Sequence, residues 1–161
     1  MTDEDFCALY DAHARRLWAY VMRATKNAAV ADDIVQETFV RVINAKTMAE
    51  ADPDHRRHYL FKIATNLIKR QYGRAVDLAP QHSGPYVAAT PSDERLAVEQ
   101  ALDTLSTTER QTLWLAYAEG WSWREVAEML GYREGSVRQV AVRAKRRFRE
   151  AFGLASKHGR S

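Results

Sequence analysis

The chain has a single cysteine, Cys7, among its 161 residues. One thiol excludes an internal disulfide and any metal site built from several thiolates. The first residues include acids where a secretory signal needs basic and then apolar residues, and no apolar run approaches the roughly 20 residues that span a bilayer. We therefore expect a cytoplasmic protein with no membrane insertion.

Motifs for catalysis are also missing. The sequence has no glycine-rich phosphate loop and no His-Glu metal motif, and Cys7 has no evident histidine partner. His55 and His58 have a metal-like spacing beside Asp54, but no third strong ligand is in register, so we interpret them as part of a basic loop. We expect no enzymatic activity, no cofactor and no bound metal.

Charge is distributed in blocks, although the formal net charge is only +3. Residues 1–54 hold 6 basic and 10 acidic side chains, residues 55–74 hold 6 and none, residues 75–132 hold 3 and 9, and residues 133–161 hold 9 and 2. Two basic segments therefore lie in an otherwise acidic protein. Because cations that replace condensed counterions supply much of the affinity for nucleic acids, the pattern indicates two separate contacts with one polyanion.

Residues 122–149 have the spacing of two helices joined by a tight turn. Ser122 and Glu125 form a capping box that predicts a helix from Trp123, and Gly131 ends it. In the second helix, a stripe at three-and-four spacing predicts burial of Val137, Val140 or Ala141, Ala144 and Phe148. The outward residues, which a major groove would meet, are Arg138, Gln139, Val142, Arg143 and Arg146. The pattern favours a DNA-reading helix-turn-helix over the alternative, a solvated amphipathic helix.

The first half of the chain predicts three helices. A cap at Thr2 and Asp5 starts the first, which runs to about Thr25, and the second spans about residues 29–46. The side of the second helix predicted to be buried carries Ile34, Val35, Thr38, Phe39, Val42 and Ile43. Its opposite face carries Asp33, Gln36, Glu37, Val40 and Arg41. A valine among charged residues on an outer face favours a partner surface.

The third helix starts at Asp52-Pro53 and runs to about Tyr72. Its apolar stripe is Leu60, Ile63, Ala64, Leu67 and Ile68, and its outward residues are Lys62, Asn66, Lys69 and Arg70. Aromatic residues are interleaved with these cations, at Tyr59, Phe61 and Tyr72. Such a mixture can bind unpaired bases, because rings offer stacking faces while cations follow the phosphates. The alternative is that the rings belong to the core or its rim.

We predict an all-α fold of two small helical domains, 1–74 and 90–155, joined by a flexible linker at 75–89. The linker contains Pro80, Gly84 and Pro85 and has no helical period. In the second domain, about four helices begin with a cap at Thr90-Pro91, and a further capping box lies at Ser106 and Glu109. Its predicted core is Leu102, Leu105, Leu113, Trp114, Trp121, Val126, Leu130, Val137 and Phe148.

Three motifs occur in a characteristic order: DDIVQETFVRV from Asp32, LFKIATNL from Leu60, and LSTTERQTLWLAYAEGWSWREVAEMLGYREGSVRQVAVRAKRRFR from Leu105. From about Asp5 to Arg149 the chain resembles bacterial RNA polymerase sigma factors of the extracytoplasmic-function (ECF) class, within the primary-sigma superfamily. The resemblance implies a region-two domain and a region-four domain. It also implies that RNA polymerase core and promoter DNA are partners. An anti-sigma factor is a further candidate partner, whose existence the sequence leaves open.

The resemblance assigns roles to the surfaces above. The outer face of the second helix would dock on the clamp helices of the largest polymerase subunit. The loop near residues 52–57 and the third helix would open the minus-10 element and hold a flipped base, with a contact set of Arg56, Arg57, Tyr59, Lys62, Asn66, Lys69 and Arg70. The helix-turn-helix would read the minus-35 element through the outward residues Arg138, Gln139, Val142, Arg143 and Arg146.

Two features of the sequence depart from the family pattern. Arg133 stands where a serine or threonine usually caps the recognition helix, and apolar Leu67 and Ile68 follow Asn66 where a charged residue is common. A different class of function would be a stand-alone helix-turn-helix regulator with an N-terminal ligand or dimerisation domain. The first basic segment discriminates against it, because a simple repressor does not need a second basic aromatic helix.

Overall fold

The structure is a computed structural model that describes residues 1–72 and 93–158, with side chains to Leu154. Its contacts divide the chain into two units, Met1–Arg74 and Ala75–Ser161. All regular structure in the described residues is helical, which confirms the all-α prediction. The predicted linker at 75–89 and the cap at Thr90-Pro91 lie outside the described residues. None of the helices placed in these two ranges has the length and apolar character to cross a membrane.

The first unit contains α1 (Asp3–Thr25), α2 (Ala28–Asn44), a 3-10 turn (Lys46–Met48) and α3 (Pro53–Tyr72). The predicted cap of α1 is confirmed, since the Asp5 N–H donates to Thr2 Oγ1 at 3.1 Å and the Thr2 N–H donates to Asp5 Oδ2 at 3.2 Å. Asn27 caps α2 by accepting from the Val30 N–H at 3.2 Å. These local signals bring each helix to within a residue or two of its predicted bounds.

The three helices pack on one another around fully buried side chains, among them Leu17, Tyr20, Val42, Leu60 and Phe61. One polar link crosses this core: the hydroxyls of Tyr20 and Thr65 are 2.7 Å apart and buried. A buried hydroxyl needs such a partner, because desolvating it without one costs roughly 1–3 kcal/mol. The link fixes α1 against α3.

One sequence prediction about this unit is wrong, and one alternative that the sequence left open is resolved. Ile43, predicted to be buried, is 47% exposed. A helix advances about 100° per residue, so Ile43 lies between the buried Phe39 and the exposed Val40, and α2 ends one residue later. Phe61, considered as a stacking surface, is instead fully buried, and its ring centroid lies 5.6 Å from that of Tyr20.

The second unit contains α4 (Asp93–Asp103), α5 (Thr107–Leu113), α6 (Trp123–Leu130) and α7 (Glu134–His158). A π-helical turn, Trp114–Ala118, follows α5 directly. The capping box at Ser106 is confirmed: the Glu109 N–H donates to Ser106 Oγ at 3.2 Å, and the Ser106 N–H donates to Glu109 Oε1 at 3.1 Å. Gly131 ends α6 in the left-handed region at φ 76°, which a residue with a side chain rarely adopts.

Helices α4, α5 and α6 all pack against α7. Of the predicted core, one group is buried, namely Leu105, Trp121, Val126, Leu130 and Val137, and another is only half-buried, namely Leu102, Leu113, Trp114 and Phe148. Leu115 is fully buried although the sequence pattern did not select it. The π-helical turn accounts for Trp114 and Leu115, because its wider hydrogen-bonding spacing shifts the helical register after α5.

Candidate nucleic-acid and protein interfaces

The outward face of α7 matches its prediction. Its five predicted residues, Arg138, Gln139, Val142, Arg143 and Arg146, are all exposed, and the opposite side buries Val137, Ala141 and Ala144. Val142 is 66% exposed, the largest value among the exposed large hydrophobic residues of the described chain. An apolar side chain therefore stands in the middle of a basic surface.

The helix-turn-helix is held by hydrogen bonds at both of its helix starts. The Glu125 N–H donates to Ser122 Oγ at 3.2 Å, while the Glu125 carboxylate accepts from the Ser122 hydroxyl at 2.8 Å and so does not complete the predicted reciprocal box. Helix α7 begins at Glu134, directly after Arg133. The Val137 N–H donates to the Arg133 carbonyl at 3.1 Å, so the missing serine or threonine does not move the helix start.

Arg138 has an acidic neighbour one turn earlier. Its Nη2 lies 2.9 Å from Glu134 Oε1, with the two side chains 60% and 47% exposed. An exposed pair spaced i,i+4 contributes only about 0.3–0.5 kcal/mol. The arginine can exchange this carboxylate for a base edge or a phosphate at little cost.

A cluster of Lys145, Tyr117 and Trp123 was missed by the sequence reasoning. Lys145 Nζ lies 4.5 Å from the centroid of the Tyr117 ring, and Tyr117 meets Trp123 edge-on at 6.0 Å between centroids. The cluster joins the π-helical turn, the start of α6 and the middle of α7. Residues 28 positions apart in sequence meet here, and helical periodicity carries no signal for such a contact.

The outward side of α3 also matches its prediction. Asn66, Lys69 and Arg70 are exposed, and Tyr59 and Lys62 are half-buried beside them. Arg57 is half-buried, and its guanidinium carbon lies 5.6 Å from the Phe61 ring centroid. Residues 53–57, described above as part of a loop, form the first turn of α3, and the irregular connection is residues 45–52.

Arg56 differs from the other predicted minus-10 residues. It is half-buried, its Nε donates to the Met48 carbonyl at 2.9 Å, and its Nη2 donates to the Ala49 carbonyl at 2.7 Å. Its guanidinium is therefore engaged by the backbone of the 45–52 connection rather than directed into solvent.

The outer face of α2 carries all five predicted residues, Asp33, Gln36, Glu37, Val40 and Arg41, in exposed positions. Val40 is 54% exposed, and Ile43 extends its apolar surface by one turn. Arg41 pairs with Glu37 at 2.8 Å between Nη2 and Oε1. The face therefore has an apolar centre with charged residues at its edge.

Within residues 1–72 and 93–158, no group of three or more His, Cys, Asp or Glu residues is placed to hold a metal ion. The predicted contact faces of α3 and α7 expose arginine, lysine and amide side chains. The outer face of α2 exposes a valine among side chains of both charges. These are surfaces for binding macromolecules.

Two family models match the chain: Sigma-70 region 2 over residues 9–76, and Sigma-70 region 4 over residues 95–148. The ECF RNA polymerase sigma factor SigL of Mycobacterium tuberculosis is 35% identical, over 91% of this chain and 90% of that protein. The RNA polymerase sigma factor CarQ of Myxococcus xanthus is 30% identical, over 90% and 87%. Among solved structures, the sigma factor RpoE of Bartonella quintana, co-crystallised with the anti-sigma factor NepR, has the same fold, with a TM-score of 0.74 at 24% identity over 94% of this chain and 98% of that one. The chain belongs to the ECF family of RNA polymerase sigma factors, the transcription initiation factors that direct RNA polymerase to promoters.

Proposed function

We propose that this sigma factor divides its work among three surfaces: α7 reads the minus-35 element, α3 binds the opened minus-10 element, and α2 docks on the clamp helices of core polymerase. The observation that carries the proposal is the separation of exposed cations into two faces, one in each unit, while the outer face of α2 is apolar at its centre. Two cationic faces suit two contacts with one promoter.

The minus-35 assignment rests on the chemistry exposed along α7. A guanidinium fork can donate two hydrogen bonds to guanine, an amide such as Gln139 pairs with adenine, and an apolar group contacts the thymine methyl. Arg138, Val142 and Arg146 follow one another at intervals of four, so they share one face that fits lengthwise in a major groove. Gln139 and Arg143 form the adjacent row.

The minus-10 assignment rests on α3. Lys62, Asn66, Lys69 and Arg70 lie within three turns on one side, where cations can follow the phosphates of a single strand and Asn66 can pair with a base edge. Tyr59 at the same side offers a ring on which an unpaired base can stack, a contact that contributes about 1–3 kcal/mol. Arg57 adds a cation at the start of this face.

The polymerase assignment rests on the layout of the α2 face. Protein interfaces commonly have an apolar centre that is desolvated on binding and a polar rim that sets orientation. Val40 and Ile43 provide that centre, and Asp33, Glu37 and Arg41 provide the rim. The Glu37–Arg41 pair would orient both side chains before docking.

We further propose that an anti-sigma factor regulates the protein by covering one of these surfaces. The support is the co-crystal of the related RpoE with the anti-sigma factor NepR. The exposed apolar residues of the α2 face make it the surface we favour for such a partner, because sequestering it would prevent polymerase docking.

Run-off transcription with purified core polymerase tests the proposal. The factor should direct initiation only with core present, whereas a stand-alone regulator would protect its operator without polymerase. Asp33→Lys with Glu37→Lys should weaken core binding about 10-fold or more, because two reversed charges face a complementary surface. Asp93→Lys with Glu94→Lys is the matched control, since it makes the same change at exposed positions of α4. Equal recovery of both double variants on immobilised core would reject the α2 assignment.

A further inference from the structure

The connection between α2 and α3, residues 45–52, contains one 3-10 turn and is otherwise irregular. Its 3-10 turn Lys46–Met48 closes with the Met48 N–H donating to the Ala45 carbonyl at 3.1 Å, and the next bond, from the Ala51 N–H to the Met48 carbonyl, is 3.4 Å long. Met48 itself is buried in the core. The carbonyls that end the turn need strong donors, because backbone groups left unpaired in a partly buried site cost free energy.

Arg56 supplies those donors from the first turns of α3. Its Nε and Nη2 donate to the consecutive carbonyls of Met48 and Ala49 at 2.9 and 2.7 Å. A guanidinium is planar with its donors in a fixed fork, so two bonds fix both the position and the tilt of the two peptide groups. Lysine has a single compact ammonium and cannot reproduce the fork.

The surroundings of Arg56 also reduce its value as a phosphate contact. Hydrogen bonds from the Thr2 side chain and backbone, with a smaller contribution from the charge of Arg56, lower the pKa of Asp5. The positive charge of Arg56 therefore interacts favourably with the Asp5 carboxylate. A guanidinium that is already bonded to two carbonyls has fewer donors to offer to DNA.

The segment that Arg56 holds presents Lys46, Thr47, Glu50 and Asp52 to solvent, directly before the cationic face of α3. Asp52 is anchored separately, because its Oδ1 accepts from the His55 N–H at 2.8 Å. The bonds from Arg56 thus decide where the exposed middle of the segment sits relative to Tyr59 and Lys62.

We infer that Arg56 is a positioning residue that shapes the 45–52 segment for minus-10 recognition and does not itself contact DNA. The inference rests on the proposed function of the first unit. It reassigns Arg56, which the sequence placed among the DNA contacts, to the support of the 45–52 segment. The base preference of this sigma factor at minus-10 then depends on two hydrogen bonds inside the protein.

The test compares Arg56→Lys, Arg56→Gln and Lys69→Gln in full-length protein bound to core polymerase. Holoenzyme affinity for a forked promoter DNA is measured by fluorescence anisotropy across a salt series, and initiation is measured from a library of minus-10 variants. A lost phosphate contact lowers the slope of log affinity against log salt by about 0.7–0.9. Lys69→Gln should show that loss.

For Arg56, both variants should reduce discrimination among minus-10 elements by roughly 5- to 30-fold, the range expected when one or two hydrogen bonds are lost. Both should leave the salt slope and minus-35 preference unchanged, and amide exchange should accelerate in residues 45–52. The inference is overturned if Arg56→Gln loses slope as Lys69→Gln does while Arg56→Lys restores it. It is also overturned if the variants only lower the melting temperature and keep the minus-10 preference.

Met48→Val provides a second route that leaves every cation in place. It loosens the same segment from its buried side, so it should reduce minus-10 discrimination with an unchanged salt slope. Normal discrimination in this variant would reject the role of the segment even if the Arg56 variants failed to fold. A wild-type holoenzyme without promoter preference would instead reject the proposed function itself.

Discussion

The exposed valine of α7 allows the proposed minus-35 contact to be tested at the level of one methyl group. Val142 is 66% exposed and stands among arginines on α7. The thymine methyl is the apolar feature of the major groove, so a valine in that position should pack against a thymine. Complete burial of a valine contributes about 1.5–3 kcal/mol, and two thirds of that bounds the contact at about 1–2 kcal/mol.

The test is a double-mutant cycle that combines one substitution in the protein with one base substitution in the DNA. Each thymine of the minus-35 element is replaced in turn by deoxyuridine, which lacks only the methyl, and each DNA is bound to holoenzyme containing wild-type protein or Val142→Ala. Removing one buried methyl costs about 0.8 kcal/mol, or roughly a 4-fold loss of affinity. One thymine position should show this loss with the wild type.

The same position should be insensitive to the methyl when Val142 is alanine, because the contact has already been removed. The coupling between the two changes should then be about 0.5–0.8 kcal/mol at that position and near zero elsewhere. Competition anisotropy resolves such differences. If the two losses add independently at every thymine, Val142 does not contact a thymine methyl and the orientation of α7 in the groove must be different.

Three further predictions concern the second unit. Arg138→Ala should weaken minus-35 discrimination by about 1–3 kcal/mol. Glu134→Gln should strengthen promoter binding a few-fold, because it removes both the competing ion pair and a charge that repels phosphates. Promoter titrations that show no change in either variant would contradict the assigned face. Val137→Asp should lower the free energy of unfolding by more than about 3 kcal/mol and unfold the unit. Val142→Asp should leave the melting temperature of the unit unchanged and abolish DNA binding. Equal melting temperatures for the two variants would refute the assigned faces. Glu109→Ala should lower the free energy of unfolding by about 1–3 kcal/mol, because the buried carboxylate bonds both the Ser106 N–H and Arg147. Arg147→Ala should lower it by only about 0.5–1 kcal/mol. Equal losses in denaturant unfolding would contradict this asymmetry.

Local features of the fold could be predicted because their physical causes lie within a few residues. The caps at Thr2 and Ser106 and the glycine at 131 set helix ends through bonds between residues three or four apart. The same holds for the outward face of α7, which follows from a period of 3.6 residues. These features needed no knowledge of the tertiary structure.

The sequence is least informative where a non-local contact overrides the local pattern. The sequence placed Arg56 among cations available for DNA, but its partners are carbonyls seven and eight residues away across an irregular connection. Phe61 lies among cations in sequence, yet it packs on Tyr20 of another helix. The π-helical turn shifted the register that predicted the core after Leu113. Periodicity describes one helix at a time and cannot contain this information.

The two basic segments of the sequence therefore overstate the cations available to DNA, because arginines in this protein have two different uses. Arg56 is bonded to two carbonyls, and Arg147 pairs with the buried Glu109 at 2.9 Å. Arg110, which lies outside the two basic segments, is used in the same way, since it is buried and donates to the Leu105 carbonyl and to Thr107. Counterion release depends on cations that reach phosphates, so the salt dependence of promoter binding should follow the exposed set on α3 and α7 and not the count of basic residues. Under the function proposed here, Arg56 and Arg147 act on the promoter only indirectly, by fixing the backbone from which the exposed cations extend.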